Sequence, residues 1–167
     1  KVFGKPEEMN KLTRAMGSIT ELIKGEIDRW RAELGADQIC VMEAVNLMEP
    51  GYARWCDQTW LIGVDNDIAR ERLKETRGMS EEEANQRLAS MIPLEFRAPG
   101  ADWVYKNNGT LDDLRTAVNA ELDRLLAVRA AGGKVESKFP AWWADFVAKN
   151  RERLARAGAT LADETKS

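Results

Sequence analysis

The sequence contains no histidine, only two cysteines and no long uninterrupted apolar segment. The absence of histidine excludes Ser-His and Cys-His nucleophile systems and makes a zinc site improbable. Cys40 and Cys56 are isolated, and because Cys40 lies in an apolar run we expect a buried thiol in a reducing compartment rather than a disulfide. No segment is long enough to span a bilayer and no signal-peptide pattern begins the sequence, so a cytoplasmic protein is expected.

Two further absences concern ligands. The formal net charge of -3 gives no reason to expect a nucleic-acid surface. The 167 residues contain no G-x-x-x-x-G-K-[ST] phosphate-binding loop. What is present is 44% apolar and 32% charged residues, which is typical of a globular domain, and this length suits one domain with a real core.

Short apolar runs alternate with helical patterns along the chain. Residues 38–44 and 59–64 lack polar alternation, which predicts strands buried on both faces of a parallel sheet. Residues 52–57 predict a short helical connection between them, and residues 103–106 predict a further strand. Helices alternating with apolar strands favour an α/β fold with a parallel sheet.

Apolar residues spaced by threes and fours predict two amphipathic helices. A short helix at residues 6–16 precedes the first, which opens with a capping box, S-x-x-E, at Ser18. The second follows Thr110 and its partner Asp113. The expected core stripes are Ile19, Leu22, Ile23, Ile27, Trp30 and Leu34 in the first helix, and Leu111, Leu114, Val118, Leu122, Leu125 and Leu126 in the second.

Basic residues crowd a predicted helical pair that begins at residue 69. Asp65 or Asp67 is expected to cap its first helix, Gly78 closes that helix, and a capping box from Ser80 to Glu83 opens the next. Such a pair builds the lid over phosphates in nucleotide kinases, because guanidinium groups match phosphate oxygens. The alternative is a solvated hairpin with ordinary surface arginines. The basic residues are Arg70, Arg72, Lys74 and Arg77, with Arg97 further along.

Glu43 stands at the end of the predicted strand at residues 38–44. Ligands bind at the carboxyl edge of a parallel sheet, so an acid there can hold Mg²⁺ through water or act on a substrate hydroxyl. The alternative is an acid that simply meets solvent at the end of a strand.

Residues 132–167 predict a linker and a C-terminal amphipathic helix with a frayed tail. Pro140 suits a first helical turn. The aromatic stripe of this helix can pack on the rest of the chain, bind a protein partner or lie at a membrane interface, although it is short for the last role. The stripe consists of Trp142, Trp143, Phe146 and Leu154.

A series of short motifs lies between residues 2 and 126, and their order and spacing together are fairly specific. They are VF and PE within residues 2–7, VME at 41–43, LME at 47–49, RL at 72–73, RGMSEEEA at 77–84, RLA at 87–89, AD at 101–102 and NNGTL at 107–111. With these motifs the sequence resembles the C-terminal two-thirds of bacterial dephospho-CoA kinase. That family comprises P-loop kinases that phosphorylate the ribose 3′-hydroxyl of dephospho-CoA.

The resemblance implies a fold and a set of ligands. The implied fold is a P-loop-kinase-like, five-stranded parallel sheet with flanking helices and a helical lid at about residues 69–100. It would occupy residues 1–131, lack the P-loop strand and carry the C-terminal helix as an extension. The implied ligands are ATP, Mg²⁺ and dephospho-CoA, and ATP and Mg²⁺ are expected to bind poorly to this chain without the P-loop.

The resemblance also implies site residues. Glu43 stands where the family has a strand-end aspartate near the metal and the acceptor hydroxyl. Arg97 matches the arginine that holds the substrate phosphates, and Arg77 lies one place from a lid arginine, with Thr76 in the exact register. Asn108 and Gly109 match the loop that, in the family, binds the adenine of ATP through backbone groups.

The family's P-loop would lie upstream of Lys1, so this chain alone is expected not to transfer phosphate at a useful rate. The chain is then a piece of a kinase, or a non-catalytic relative that serves as a binding module in a larger assembly. The missing strand would leave a slot between residues 39–43 and 59–64. Since an unpaired buried backbone group costs about 1–3 kcal/mol, we expect a segment from elsewhere to fill the slot. A protein partner is expected there or at the aromatic helix.

Overall fold

A computed structural model describes the backbone of residues 19–35 and 38–156, with side chains through residue 151. The chain divides into two compact units. The first contains the described residues up to Trp55 together with residues 150–156, and the second is Cys56–Lys149. No helix in the described ranges has the length and apolar character needed to cross a membrane.

The first unit contains helix α1 (Ile19–Glu33) and a 3-10 helix (Tyr52–Trp55), which confirms both predicted helical segments. The predicted stripe of α1 is largely wrong as a core. Ile27 alone of its six residues is buried, and the Leu22 side chain is 68% exposed. Helical spacing indicates an apolar face but does not supply the surface that covers it. The helix predicted at residues 6–16 and the cap at Ser18 lie outside the described residues.

Residues 38–44 form no strand and no helix, so the buried strand predicted there is wrong. Val41 is 81% exposed, and Ile39 and Cys40 are exposed as well, so the expectation of a buried thiol also fails. A strand is stable only when a neighbour takes up its backbone hydrogen-bonding groups. Within the described residues no strand pairs with this segment, and its composition alone does not order it.

The second unit is built around two parallel strands, β1 (Trp60–Gly63) and β2 (Trp103–Lys106), as predicted. Trp60 lies opposite Trp103, and their rings meet edge to face at 5.1 Å. The sheet has two strands among the described residues, compared with five in the fold implied by the resemblance. Ile62 is 45% exposed, so the expectation that residues 59–64 are buried on both faces is wrong.

A helical crossover joins the two strands. Gly78 ends its first helix in the left-handed conformation with φ of 64°, and the Ser80–Glu83 capping box opens its second, as predicted. Gly63, in β1, lies against the short helix that begins at Leu94. A Cβ atom at residue 63 would come within 2.6 Å of the Leu94 side chain. The crossover comprises α2 (Asn66–Arg77), α3 (Glu81–Ala89), α4 (Leu94–Arg97) and a 3-10 turn (Ala98–Gly100).

Helix α5 (Leu111–Ala130) begins at the predicted capping box between Thr110 and Asp113. It ends before Gly132, whose φ of 76° allows the chain to turn. None of its residues is buried, and Leu111 is 61% exposed, so the predicted core stripe is at best half-buried. The capping signals fixed the bounds of α5 because they act locally, whereas burial depends on what covers the helix.

The C-terminal helix α6 (Phe139–Arg156) packs through its aromatic side chains. Phe139 is fully buried, and the Trp142 and Phe146 rings lie 6.0 and 5.9 Å from the ring of Phe96. Gly100 permits this approach, since a Cβ atom there would lie 2.5 Å from the Trp142 ring. Of the three alternatives for this stripe, packing on the chain itself is the one observed for these residues. The Leu154 side chain lies outside the described residues, and the domain boundary after residue 131 remains a prediction.

The carboxylate of Asp102 joins the segment before α6 to the start of the sheet. One of its oxygens accepts from the Thr59 amide at 2.7 Å and from the Ser137 hydroxyl at 2.9 Å, and the other accepts from the Lys138 amide at 2.6 Å. The Thr59 carbonyl accepts in turn from the Asp102 amide at 2.8 Å. Asp102 therefore holds residues 137–138 beside Thr59 and Asp102 itself, the residues that come immediately before the two strands.

Candidate functional site

The carboxyl ends of β1 and β2 meet at one edge of the sheet because the strands are parallel. Asp65 follows β1, and residues 107–109 turn the chain after β2. The Asn107 amide donates to the Gly63 carbonyl at 2.7 Å, which extends the ladder by one residue and fixes the start of the turn. Two of the predicted site residues, Asn108 and Gly109, are thus placed at the sheet edge where ligands bind in open α/β sheets.

Asp65 and Asn108 form a reciprocal pair across this edge. The Asn108 side-chain carbonyl accepts from the Asp65 amide at 3.0 Å, and its amide group donates to the Asp65 carboxylate at 2.7 Å. The other carboxylate oxygen accepts from the ammonium group of Lys106 at 2.6 Å. The hydrogen bonds from Lys106 and then Asn108 lower the pKa of Asp65, and Asp65 in turn raises the pKa of Lys106.

This pairing corrects the predicted cap of α2. Asp65 occupies the N-cap position, but its side chain makes no capping hydrogen bond. Its two carboxylate oxygens are used by Asn108 and Lys106 instead, and both donors are distant in sequence. Asp67 lies in the first turn of α2, where a carboxylate is favoured by the helix dipole.

Arg72, on α2, approaches the same turn from the helix side. Its guanidinium group donates to the Asn107 carbonyl at 2.7 Å and to the Gly109 carbonyl at 2.8 Å. In the sequence, Arg72 is one of several basic residues of this helix, and no motif there gives it a site of its own. A usable signal was its spacing from Ala69, which is buried, because residues three apart share a helix face.

Other basic residues of α2 form a charged network between α2 and α3. Arg70 donates to Asp67 at 2.7 Å and to the Asn85 side chain at 2.7 Å. Lys74 lies 2.9 Å from Glu81, and this contact raises the pKa of Lys74 and lowers that of Glu81. Arg70 and Lys74 are half-buried and their acidic partners are exposed, so water screens these pairs and the network orients the helices more than it stabilises them. Arg70, predicted to bind phosphate, thus bonds to α3 and to its own helix.

The remaining predicted site residues lie elsewhere. Arg77 is exposed in the last turn of α2. Arg97, at the end of α4, is 9% exposed, which is unusual for an arginine and consistent with a specific role. Glu43 belongs to the first unit, where it is exposed in a segment without regular structure, so the strand end predicted to present it is absent.

Metal-binding groups and clefts elsewhere in the described residues also bear on ligand binding. No group of three or more histidine, cysteine, aspartate or glutamate side chains in the described ranges could hold a metal ion, so Mg²⁺ bound there would need oxygen ligands from substrate phosphates or water, as it commonly has in phosphate-binding sites. A cleft of about 300 Å³ lies beside Asp102, Arg124, Lys134 and Lys138. Its lining includes none of the predicted site residues.

Comparison with known proteins identifies the family of this chain. The family profile "CoaE: Dephospho-CoA kinase" matches residues 1–113, so the chain belongs to the dephospho-CoA kinase family. Three curated relatives bear the name dephospho-CoA kinase. Those from Streptococcus mutans (UA159) and Streptococcus pneumoniae (R6) are each 34% identical, over 125 and 123 residues, and the one from Streptococcus thermophilus (CNRZ 1066) is 37% identical over 89 residues.

The matched regions cover 74%, 73% and 53% of this chain and 62%, 60% and 45% of the respective relatives. The chain therefore spans about three-fifths of the length of the first two relatives. No solved structure gives a significant match. The resemblance stated from the motifs is confirmed at the level of family.

Proposed function

We propose that this chain is the nucleotide- and substrate-binding portion of a dephospho-CoA kinase, active when a P-loop is supplied. The completed protein would transfer the γ-phosphoryl group of ATP to the 3′-hydroxyl of dephospho-CoA in the cytoplasm, the last step of coenzyme A synthesis. The observation that carries the proposal is the family match together with the turn at residues 107–109, which Asp65 and Arg72 hold at the carboxyl edge of the strands.

The proposed roles follow position in the family. The turn at Asn108 and Gly109 receives adenine through backbone groups, since the Asn108 side chain is already used by Asp65. Arg97 holds substrate phosphates, and Arg70 and Arg77 close over the nucleotide as residues 69–100 move as a lid.

Glu43 is proposed to accept the proton of the attacking hydroxyl as the new phosphorus–oxygen bond forms and the bond to ADP breaks. This role requires residues 39–43 to be ordered beside another strand. A segment carrying the P-loop is the proposed neighbour. Mg²⁺, when bound, would neutralise phosphate charge, and the described residues need ligands from elsewhere to hold it.

A second candidate is a non-catalytic binding module that has kept part of the kinase fold. The reading frame upstream of Lys1 separates the two. A strand followed by a G-x-x-x-x-G-K-[ST] motif supports the kinase, whereas a start codon or an unrelated domain supports the module.

The direct experiment measures binding and turnover with the same protein. The purified 167-residue chain is expected to bind dephospho-CoA weakly and to show no ATP-dependent phosphorylation, because the main phosphate cradle is absent. Turnover of about 1–100 per second, the usual kinase range, would contradict this. In calorimetry, Arg97→Ala should weaken dephospho-CoA binding while Arg87→Ala, which removes an exposed arginine of α3, should not. Equal affinities for the parent and a folded Arg97→Ala variant would remove Arg97 from the site.

A further inference from the structure

Four of the six backbone polar groups of residues 107–109 are hydrogen-bonded. The Asn107 amide donates to Gly63, the Asn108 amide donates to the Lys106 carbonyl at 2.9 Å, and the guanidinium of Arg72 occupies the Asn107 and Gly109 carbonyls. Among the described contacts, the groups without an assigned partner are the Asn108 carbonyl and the Gly109 amide, which belong to one peptide unit. The carbonyl and the amide of that peptide unit are therefore available to bind a ligand.

Arg72 connects the backbone of this turn to the middle of α2. Its two acceptors flank the peptide between Asn108 and Gly109, so a single planar guanidinium fixes the carbonyls on both sides of it. A lysine cannot do this, because its ammonium group is a compact point charge without the rigid fork. The helix that carries Arg72 is itself held by its Gly78 cap and by the contacts of Arg70 and Lys74 with α3.

We infer that Arg72 is a positioning residue for nucleotide binding, which fixes the turn so that the Asn108–Gly109 peptide is presented to the base. This inference rests on the proposed function. It differs from a phosphate-binding role for the lid arginines, because Arg72 acts through the turn and makes no contact with phosphate. Arg72 also joins the turn to α2, so a displacement of α2 would move the backbone that binds the base.

The test uses the full 167-residue chain, Arg72→Lys and the control Arg115→Lys. Arg115 is a helical arginine whose side chain is 66% exposed and pairs only locally with Asp112. ATP is titrated to millimolar concentration while backbone amide shifts are followed by NMR, and ¹⁵N relaxation reports the order of residues 107–109. Circular dichroism checks that each variant is folded.

ATP should shift the Asn108 and Gly109 amides of the parent. Arg72→Lys should bind ATP about tenfold more weakly, equivalent to about 1.4 kcal/mol, with greater mobility confined to the turn and an unchanged melting temperature. Arg115→Lys should match the parent within about twofold, the scatter expected for a surface substitution of under ~0.5 kcal/mol.

The possible failures are distinguishable. If the parent chain shows no ATP-dependent shift at the turn, the proposed nucleotide site is wrong and the inference falls with it. If the parent binds ATP and Arg72→Lys binds it equally well, the inference alone is overturned. An Arg72→Lys variant that does not fold would show that Arg72 serves stability rather than positioning, which also overturns it.

Discussion

Replacing Asp102 should release the segment before α6 from the sheet. Its carboxylate accepts three hydrogen bonds, two from backbone amides and one from the Ser137 hydroxyl, at 2.6 to 2.9 Å. In Asp102→Ala the Thr59 amide and the Ser137 hydroxyl lose their acceptor in a partly buried setting, and the exposed Lys138 amide loses its acceptor as well. A stranded buried donor costs about 1–3 kcal/mol, so we expect a loss of about 3 kcal/mol in the free energy of unfolding. Asp102→Asn keeps one acceptor oxygen and should lose about half as much.

The assay is urea denaturation of the full chain, followed by tryptophan fluorescence and far-ultraviolet circular dichroism. Both probes are recorded because the chain has two units, and a single transition requires that the two signals coincide. Amide exchange adds local information, since a loss of 3 kcal/mol raises the exchange of residues 139–149 by roughly a hundredfold if they open with this segment. The control is Asp123→Asn, the same change on an exposed position of α5. If Asp102→Asn stays within about 0.5 kcal/mol of that control, the three hydrogen bonds do not secure the segment.

Three further predictions follow from packing, charge and motion. Gly100→Ala should destabilise the second unit by about 1–3 kcal/mol, because its Cβ atom would meet Trp142 at 2.5 Å, whereas Gly25→Ala, with nothing within 4 Å, should be neutral or stabilising in thermal melts. Asp65 has a lowered pKa when folded, so its contribution to the turn is present above about pH 4 and is lost as pH falls through the lowered value; NMR titration of an ordinary Asp65 pKa would refute this. Residues 69–91 should exchange amide hydrogens faster than β1 if they form a mobile lid, and equal protection would count against one.

The sequence predicted best what is decided locally. Gly78, the Ser80–Glu83 box and the Thr110–Asp113 box all lie where expected, because caps depend on residues three or four positions apart. The two strands that pair with each other were also predicted, and their parallel direction followed from the helical crossover between them.

The sequence failed where the outcome depends on a distant partner. Residues 38–44 have the composition of a strand, yet the described residues offer them no neighbour. Asp65 looked like a cap, but Lys106 and Asn108, some forty positions away, use its carboxylate. Arg72 looked like any lid arginine until the turn at residues 107–109 was placed beside it.

The parallel pairing of β1 with β2 also bears on how this unit folds. Residues 64–102 must form a closed loop before the strands can meet, and this loop contains the helices α2, α3 and α4. The entropic cost of closure rises only logarithmically with length, by about 0.6 kcal/mol for each doubling. Insertions or deletions in the exposed junction between α2 and α3 should therefore change the rate of strand pairing and the stability of the sheet only slightly. The helical crossover can therefore change in length while the two strands keep their register.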